Sequence, residues 1–394
     1  MVSFLQGIQA RAKSYTRVCL SAVALMALTA CDVDVGQQTA SPPKALGNAV
    51  NVALLVPYGS PTPGDDGLAR ALENAARLAA NDLADGAVNI TVYRTGGQAA
   101  TAGQLADRAI AAGADIIVGP LRSDAANAAA VAASDDGINV LAFSNNASIA
   151  GGNLFVLGNT FENIATRLMG YAGRQGRNRV VVVHPETPVG QIARNSITRA
   201  ASRTGVQIVS NSSFRFTNEG ITAAAPRVAQ TVTTTGANAI MLTSDSVGAL
   251  PVLAELLPDR GVNPANIQYM GLTRWDVPPQ TLSLPGLQGG WFALPDPTLT
   301  ARFRTRYQSA YGTSPHPLAG LAYDGIAAIG ALAAKKRALT AANLRQSSGF
   351  VGVNGVFRLK ADGTAERALA VAEVNNSQVR IIDPAPKSFS RGGS

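Results

Sequence analysis

The sequence predicts an α/β protein of two Rossmann-like lobes, each built on a parallel sheet that helices cover. Short apolar runs alternate with Ala-rich amphipathic segments along most of the chain. Strands that are apolar on both faces are typical of parallel sheets buried between helix layers. The order then restarts, because GADIIVGPLRS at 113–123 aligns with GANAIMLTSDS at 236–246, 123 residues later. This repeat predicts two similar lobes.

The first part of the chain supplies the elements of the first lobe. Runs such as VNVALLVPY and ADIIVGP have the length and apolar content of buried strands. The segment GLARALENAARLAANDLADG places Leu68, Leu72, Ala75 and Ala79 on one face, as an amphipathic helix does. Strands are predicted at 50–58, 88–95, 114–120 and 138–143, and helices at 67–86, 101–113 and 123–137.

The second part of the chain repeats this strand-and-helix pattern, and the chain then returns to the first lobe. Strands are predicted at 179–186, 206–214, 237–245 and 267–272, and helices at 190–205, 222–236 and 248–261. The segment 287–297 is interpreted as a strand running between the lobes. Two helices at 300–312 and 317–336 are expected to rejoin the first lobe, and 355–382 is interpreted as two strands around an ADG turn.

These elements give a predicted division of the chain, with three crossovers near residues 155–165, 285–292 and 346–356. The predicted parts are a signal peptide (1–30), a lipidated tether (31–48), a first lobe (49–160 and 290–350), a second lobe (161–289 and 351–383) and a loose tail (384–394).

The amino-terminal segment has the layout of a secretory signal. Its first seventeen residues carry three basic side chains and no acid, and the apolar run VCLSAVALMALTA follows. That run is shorter than the roughly 20 residues a spanning helix needs. The sequence LTAC at 28–31 resembles the lipobox of bacterial lipoproteins, in which the cysteine is acylated and becomes the first mature residue. The resemblance implies a lipid anchor at Cys31, on the inner or the outer membrane, facing the periplasm.

Composition argues against several other classes of protein. The formal net charge of +8 falls to +5 once the three basic residues of the signal are removed, and no Lys/Arg cluster with interleaved aromatics is present, so no nucleic-acid partner is expected. Of the two cysteines, Cys19 leaves with the signal and Cys31 takes the lipid, which leaves no disulfide. Two histidines, His184 and His316, are too few for a usual zinc site.

No catalytic motif is convincing either. The sequence lacks GxSxG, a P-loop and GxGxxG. SPPK at 41–44 spells SxxK, but it lies in the proline-rich tether and no KTG follows it. We therefore expect no enzymatic activity, no cofactor and no metal.

Five segments together resemble type I periplasmic binding proteins of the leucine-binding kind: VALLVPYGS, ADIIVGPLRS, VLAFSNN, AYDGIAAIGAL and FRLKADGT. The resemblance implies two hinged lobes that close on a small polar ligand at the carboxyl ends of the strands. Ser123 could serve there as an anion ligand with the first turn of its helix, or as that helix's N-cap. The residues expected at the cleft are Tyr58, Ser60, Arg122, Ser123, Ser144, Asn145, His184, Asp245 and Thr273.

The sequence departs from the amino-acid binders at two positions. Val189-Gly190 stands where those proteins carry a tyrosine-glycine pair, and Thr273 stands where they carry an acid that pairs with the ligand's ammonium. Asp245 or Asp276 could substitute from nearby loops. A buried ammonium without a partner costs several kcal/mol, so an ordinary amino acid is not the first expectation for the ligand.

These departures favour a second branch of the fold. The chain resembles the binding-protein-like domain of the LppC-type lipoproteins, which activate penicillin-binding proteins. We therefore expect a non-enzymatic regulator of peptidoglycan synthesis with a class A penicillin-binding protein as partner. The alternative is the substrate-binding lipoprotein of an ABC transporter for amino acids or small amides, with a permease as partner. Ligand identity and oligomeric state stay open.

Overall fold

The computed structural model describes residues 49–83 and 86–389 of the 394-residue chain. The predicted signal peptide (1–30) and the whole predicted tether (31–48), with the lipidation site Cys31, lie outside these residues. Within the described ranges, no helix combines the length and the hydropathy that a membrane span requires.

The elements alternate along the chain much as the apolar pattern predicts. The strands are β1 (Val50–Val56), β2 (Val88–Arg94), β3 (Ile116–Val118), β4 (Val140–Ala142), β5 (Leu154–Val156), β6 (Arg179–Pro185), β7 (Gln207–Phe214), β8 (Ala239–Leu242), β9 (Gln268–Gly271), β10 (Trp291–Leu294), β11 (Phe350–Gly352), β12 (Gly355–Leu359), β13 (Ala365–Arg367), β14 (Ala370–Asn375) and β15 (Gln378–Asp383). The helices are α1 (Asp65–Asn81), α2 (Ala99–Ala111), α3 (Ser123–Ala132), α4 (Phe161–Arg174), α5 (Pro188–Thr204), α6 (Asn218–Thr235), α7 (Leu250–Asp259), α8 (Pro297–Tyr311), α9 (Ala319–Ala333) and α10 (Ala341–Leu344).

The first sheet is parallel throughout and has the strand order β2-β1-β3-β4-β5. Its strand β1 alternates between two helix layers. Val52 and Leu54 share a core with α1 and α9, whereas Ala53 and Leu55 share a core with α2 and α3. All four side chains are at most 1% exposed. Burial on both faces explains why this strand is continuously apolar in sequence.

The second sheet has the order β15-β14-β10-β9-β8-β6-β7. Strands β6 to β10 run parallel, and β14 and β15 add an antiparallel edge. Val180 and Val182 of β6 pack with α4 and α5, whereas Val181 and Val183 pack with α6 and α7. The predicted fold class, two α/β lobes with parallel sheets, is confirmed.

A small antiparallel sheet, β11-β12-β13, completes the first lobe. Phe350, Phe357 and Leu359 share the core of α1 and α9, and the Val156 amide of β5 donates to the Gly363 carbonyl at 2.9 Å. The sequence pattern predicts residues 351–383 as part of the second lobe. The structure differs for β11 to β13, because their apolar side chains are buried against the first.

Along the part of the chain that the structure describes, the backbone crosses between the lobes three times, after β5, after β10 and after β13. The second crossing lies at 295–296 rather than 285–292, because β10 pairs with β9 and β14 inside the second sheet. The third lies at 368–369 rather than 346–356, because β11 to β13 stay with the first lobe. The first lobe therefore resumes at α8, not at residue 290.

The carboxyl-terminal segment 384–389 is fixed to the crossings rather than loose. Arg167 of α4 donates to the Pro384 carbonyl at 3.2 Å. Lys387 Nζ lies 2.5 Å from Oδ2 of Asp296, a residue of the second crossing. The Arg358 guanidinium lies 4.6 Å from the ring centre of Phe389. The segment therefore links the second lobe to the β12-β13 hairpin and to the second crossing. We call the three crossings together the hinge.

Candidate functional site

The carboxyl ends of both parallel sheets lie beside the hinge. The first crossing leaves β5 after Val156, and the second leaves β10 after Leu294. Both crossings thus start where a parallel strand ends. The loops after β1, β3 and β4 in one lobe and after β6, β8 and β9 in the other therefore border one cleft, as expected of ligand sites in open α/β sheets.

A buried carboxylate organises the first-lobe side of this cleft. Asp65 is 7% exposed, and its Oδ2 accepts hydrogen bonds from Ser60 Oγ at 2.6 Å and Arg122 Nη2 at 2.5 Å. Arg122 also donates to Thr62 Oγ1 at 3.0 Å. Burial alone would raise the pKa of Asp65, but the bonds from Ser60 and Arg122 outweigh it and lower that pKa. Ser60 and Arg122, two predicted cleft residues, are thus held by an acid that the sequence pattern does not single out.

Two further predicted residues meet directly. Ser123 Oγ and Ser144 Oγ lie 3.1 Å apart, and Ser144 Oγ also accepts from the Asn146 amide at 3.1 Å. Ser123 is the first helical residue of α3, whose N-cap is Arg122 without a side-chain capping bond. The Ser123 hydroxyl is therefore not the cap that one interpretation expects. The Ser123 and Ser144 hydroxyls instead form a pair beside the first turn of α3.

Tyr58 and Asn145 complete the predicted set in the first lobe. Tyr58 is half-buried, and its hydroxyl donates to Glu73 Oε2 on α1 at 3.0 Å. Burial and the Glu73 hydrogen bond raise the pKa of Tyr58 to about 12. The Arg94 guanidinium lies 5.1 Å from the ring centre. Asn145 is exposed in the loop after β4, where its amide is accessible to a ligand.

The second lobe holds a cavity of about 170 Å³ at the carboxyl ends of β6 and β8. Its walls combine apolar and hydroxyl-bearing side chains with one carboxylate. They are Pro185, Thr187, Val189, Gly190, Ala193, Phe216, Thr243, Ser244, Asp245 and Gly248. Val189 and Phe216 are 61% and 55% exposed, so apolar surface extends from the cavity to its mouth.

One residue that lines this cavity has a buried hydroxyl without a partner in the described structure. Ser244 is 6% exposed, and its Oγ forms no hydrogen bond in the described structure. Buried polar groups in proteins are nearly always paired, so an orphan hydroxyl on a residue that lines the cavity is an unusual feature of this site. The sequence shows no signal for Ser244, because serines after a strand are common in turns.

Two other predicted residues stand outside this cavity. His184 is 6% exposed, inside β6, with Nδ1 3.1 Å from the Pro185 carbonyl oxygen. Thr273 Oγ1 donates to the Ser244 carbonyl at 3.3 Å, so Thr273 supports the cavity wall through the backbone. Asp245 is the predicted second-lobe residue that lines the cavity.

A larger cavity, about 730 Å³, lies between α4, the β12-β13 hairpin and residues 386–389. Its charged side chains are engaged with each other: Glu162 pairs with Arg203, and Arg358 pairs with Glu366. One lining group departs from this pattern, because the buried Nη2 of Arg367 forms no hydrogen bond in the described structure.

The described residues offer recognition groups rather than metal ligands. Across 49–83 and 86–389, no three His, Cys, Asp or Glu side chains cluster as a metal site would require. The hydroxyl pair of the first lobe can donate to an anion, and the second-lobe cavity can take an apolar group beside a hydrogen-bond donor. This arrangement suits binding of a small polar molecule between two hinged halves.

Comparison with known proteins agrees with this geometry. A family model described as "Periplasmic binding protein" matches residues 49–378. No curated protein is significantly similar in sequence.

Several solved structures share the fold. One from Rhodospirillum rubrum, described as a branched-chain amino acid ABC transporter, has a TM-score of 0.71 and 20% identity, over 85% of this chain and all of that one. A Desulfitobacterium hafniense substrate-binding protein in complex with Leu has a TM-score of 0.63 and 18% identity, over 85% and 100% of the two chains. An R. palustris solute-binding protein in complex with benzoate has a TM-score of 0.57 and 18% identity, over 87% and 98%. At these identities the likeness shows the fold.

Proposed function

Because the chain belongs to the periplasmic binding protein family, we propose that it is the non-enzymatic solute receptor of an ABC transporter. Its two lobes close on a small solute and present it to a permease. The observation that carries this proposal is the second-lobe cavity with its unpartnered Ser244 hydroxyl. The similar structures described as ABC transporter proteins support the receptor over the regulator that the sequence pattern favours.

The candidate ligands fall into two chemical classes. One similar structure is in complex with leucine and another with benzoate. Both molecules carry a carboxylate and an apolar group, and they differ in the ammonium. The Ser123-Ser144 pair beside the first turn of α3 can receive the carboxylate, and the cavity walled by Val189 and Phe216 can receive the apolar group.

Solute binding to the purified full-length protein tests the proposal. We expect calorimetry against amino acids, small amides and aromatic carboxylates to find at least one ligand with a Kd near or below about 1 μM. Ser244→Ala should weaken that binding about 3- to 10-fold, the value of one hydrogen bond. Ser134→Ala is the matched control, since Ser134 is exposed beyond α3. Failure of every solute to bind would reject the receptor.

A second candidate function rests on the surface around the cavity. Val189, Phe216 and Val247 are 61%, 55% and 85% exposed, and clustered exposed apolar side chains mark interaction sites. This favours the regulator that docks on a class A penicillin-binding protein. A pull-down with the synthases of the native cell, comparing Phe216→Ser with wild type, distinguishes the two functions. Capture that Phe216→Ser abolishes, without solute binding, would favour the regulator.

We also propose a periplasm-facing location, with the lipid on Cys31 as anchor. The family match supports the compartment. The anchor rests on the lipobox alone, since Cys31 lies outside the described residues.

A further inference from the structure

The cavity of about 730 Å³ described above lies beside the hinge and takes its walls from both lobes. Arg167 and Arg203 belong to α4 and α5 of the second lobe, whereas Lys360 and Glu366 belong to the β12-β13 hairpin of the first. Among the described residues that line it, none is a predicted cleft residue. A cavity of several hundred Å³ is typical of small-molecule sites. We call it the hinge cavity.

Basic side chains outnumber acidic ones around the hinge cavity. The lining includes the basic residues Arg167, Arg203, Arg358, Lys360 and Arg367 and the acidic residues Glu162, Asp362 and Glu366. Ionic partners outside the lining do not remove this excess. Asp324 and Asp383 add two acids, but Arg174 and Arg199 add two bases to the same ion pairs. A concave site with surplus positive charge concentrates anions.

Part of the surplus arises because Glu162 serves two arginines. Its Oε2 lies 2.6 Å from Arg199 Nε, and its Oε1 lies 2.6 Å from Arg203 Nη1. Burial alone would raise the pKa of Glu162, but hydrogen bonds from both arginines outweigh it and lower that pKa. One ionised carboxylate therefore faces two guanidinium groups. The Arg203 side chain is also 54% exposed, so it is accessible to a second anion.

Two other arginines of the lining are incompletely matched. Asp383 Oδ2 lies 2.7 Å from both Arg167 Nη1 and Arg174 Nη2, so this carboxylate is shared as well. Arg367 Nη1 is paired with Asp324 at 2.7 Å, whereas its Nη2 is buried and has no hydrogen-bond partner in the described structure. The second-lobe wall and the third crossing therefore carry more donor capacity than the local acceptors use.

The first lobe contributes a loosely held cation. Lys360 Nζ lies 3.2 Å from Asp362 Oδ2, and the two side chains are 36% and 59% exposed. Exposed ion pairs of this kind contribute little free energy, and an ammonium group has three donors. Lys360 can therefore exchange Asp362 for an anion at little cost. Exposed cations thus border the hinge cavity from both lobes.

We propose that the hinge cavity is a second binding site, for a small anion with two or more phosphate or carboxylate groups, and that the bound anion contacts both lobes. Arg203 binds it from the second lobe and Lys360 from the first. Guanidinium groups suit phosphate and carboxylate because their parallel donors match two oxygens. An anion held by both lobes stabilises one hinge angle, and any ligand of the cleft is then coupled to it.

Calorimetry of the full-length protein with inorganic tripolyphosphate tests the site. We expect a Kd below about 1 mM for wild type. Arg203→Gln and Lys360→Gln should each weaken binding at least about 3-fold, because each removes a charge-assisted contact at a partly exposed position. Asp362→Asn should strengthen binding, since it removes the carboxylate that competes for Lys360. Arg380→Gln is the matched control, because Arg380 is 59% exposed in its pair with Glu373 and lies outside the lining.

The variants separate a built site from general attraction. Circular dichroism verifies that each is folded. Absence of tripolyphosphate binding, or an equal loss in Arg380→Gln and Arg203→Gln, would overturn the site. A loss confined to one of Arg203→Gln and Lys360→Gln would overturn the contact with both lobes. Because no solute is present in these titrations, their outcome does not depend on the receptor function proposed above.

Discussion

Asp324 and Arg367 form an ion pair that is closed to solvent on both sides, with 0% and 2% of their side chains exposed. Arg367 Nη1 lies 2.7 Å from Asp324 Oδ2 and ties β13 to α9. Asp324 also accepts from the Val353 amide at 2.7 Å and from Asn354 Nδ2 at 3.0 Å. The Asp324 carboxylate thus fixes the small sheet β11-β12-β13 to α9 within the first lobe.

Removing that carboxylate should be costly. We expect Asp324→Ala to lower the free energy of unfolding by about 3–5 kcal/mol, because it leaves the Arg367 charge buried without a partner. Urea unfolding measures this. Arg380→Gln is the control, since its pair with Glu373 has an arginine 59% exposed and should contribute less than about 1 kcal/mol. Equal losses of unfolding free energy in Asp324→Ala and Arg380→Gln would contradict this role for the buried ion pair.

The Asp65-Arg122 pair predicts a pH dependence. Because the folded-state pKa of Asp65 is lowered, its ionised form stabilises the fold above the ordinary aspartate value of 3.8, and this is lost as pH falls through the lowered value. Arg122→Gln should raise the Asp65 pKa, since burial persists while the pairing charge is gone. NMR titration of the carboxyl reports the shift.

The same pair should appear in stability measurements. The difference in unfolding free energy between wild type and Arg122→Gln should be largest near neutral pH and should shrink in acid. Arg77→Gln provides the comparison, since Arg77 is 47% exposed in its pair with Glu73. A difference that stays constant from neutral pH into acid would argue against a role for Asp65 ionisation.

Gly119, after β3, should not tolerate a side chain. Its φ is +89°, and a Cβ there would stand 2.2 Å from the Leu55 carbonyl oxygen. Gly113 has a nearly equal φ of +90° with open space around it. Gly113→Ala should therefore cost only backbone strain, roughly 1–2 kcal/mol. Gly119→Ala should cost about 1–3 kcal/mol more from the clash. Thermal unfolding measures the stability of the two variants. Equal destabilisation by Gly113→Ala and Gly119→Ala would contradict the expected clash at Gly119.

Lipidation at Cys31 is testable without structural information. Mass spectrometry of the mature protein should find a diacylated amino-terminal cysteine, and Cys31→Ser should remain unacylated and uncleaved at that point. Cys19→Ser, within the predicted signal, should be acylated normally. An unmodified amino terminus downstream of Cys31 would disprove the lipobox assignment.

The sequence predicts the parallel sheets well because burial on both faces leaves a direct mark on composition. VNVALLV of β1 carries little polarity for this reason. The third crossing is less accessible to sequence reasoning. Phe350 and Phe357 are apolar in either lobe, and only the long-range contact with α9 decides which core receives them. Periodicity gives the burial of a residue and not its partner.

The residues of the candidate site also divide into those that the sequence predicts and those that only long-range contacts reveal. Ser123 and Ser144 follow neighbouring strands, so topology alone predicts that they meet. Asp65 engages Arg122 across 57 positions of sequence, and the isolation of Ser244 Oγ is a matter of side-chain geometry. His184 is predicted at the cleft rim from its position near a strand end, yet its side chain is buried at 6% exposure within β6.

The three crossings limit how recombination between homologous genes can alter this protein. Each lobe is encoded by two separate stretches, since β1 to β5 and α8 to β13 form one lobe and α4 to β10 and β14 to β15 form the other. A single recombination event with a homologous gene would therefore splice incomplete halves, and cores such as the one joining α1 with α9 would be assembled from mismatched parents. New solute preferences in this lineage are expected to arise by point substitution in the loops, because exchange of a whole lobe requires several simultaneous breakpoints.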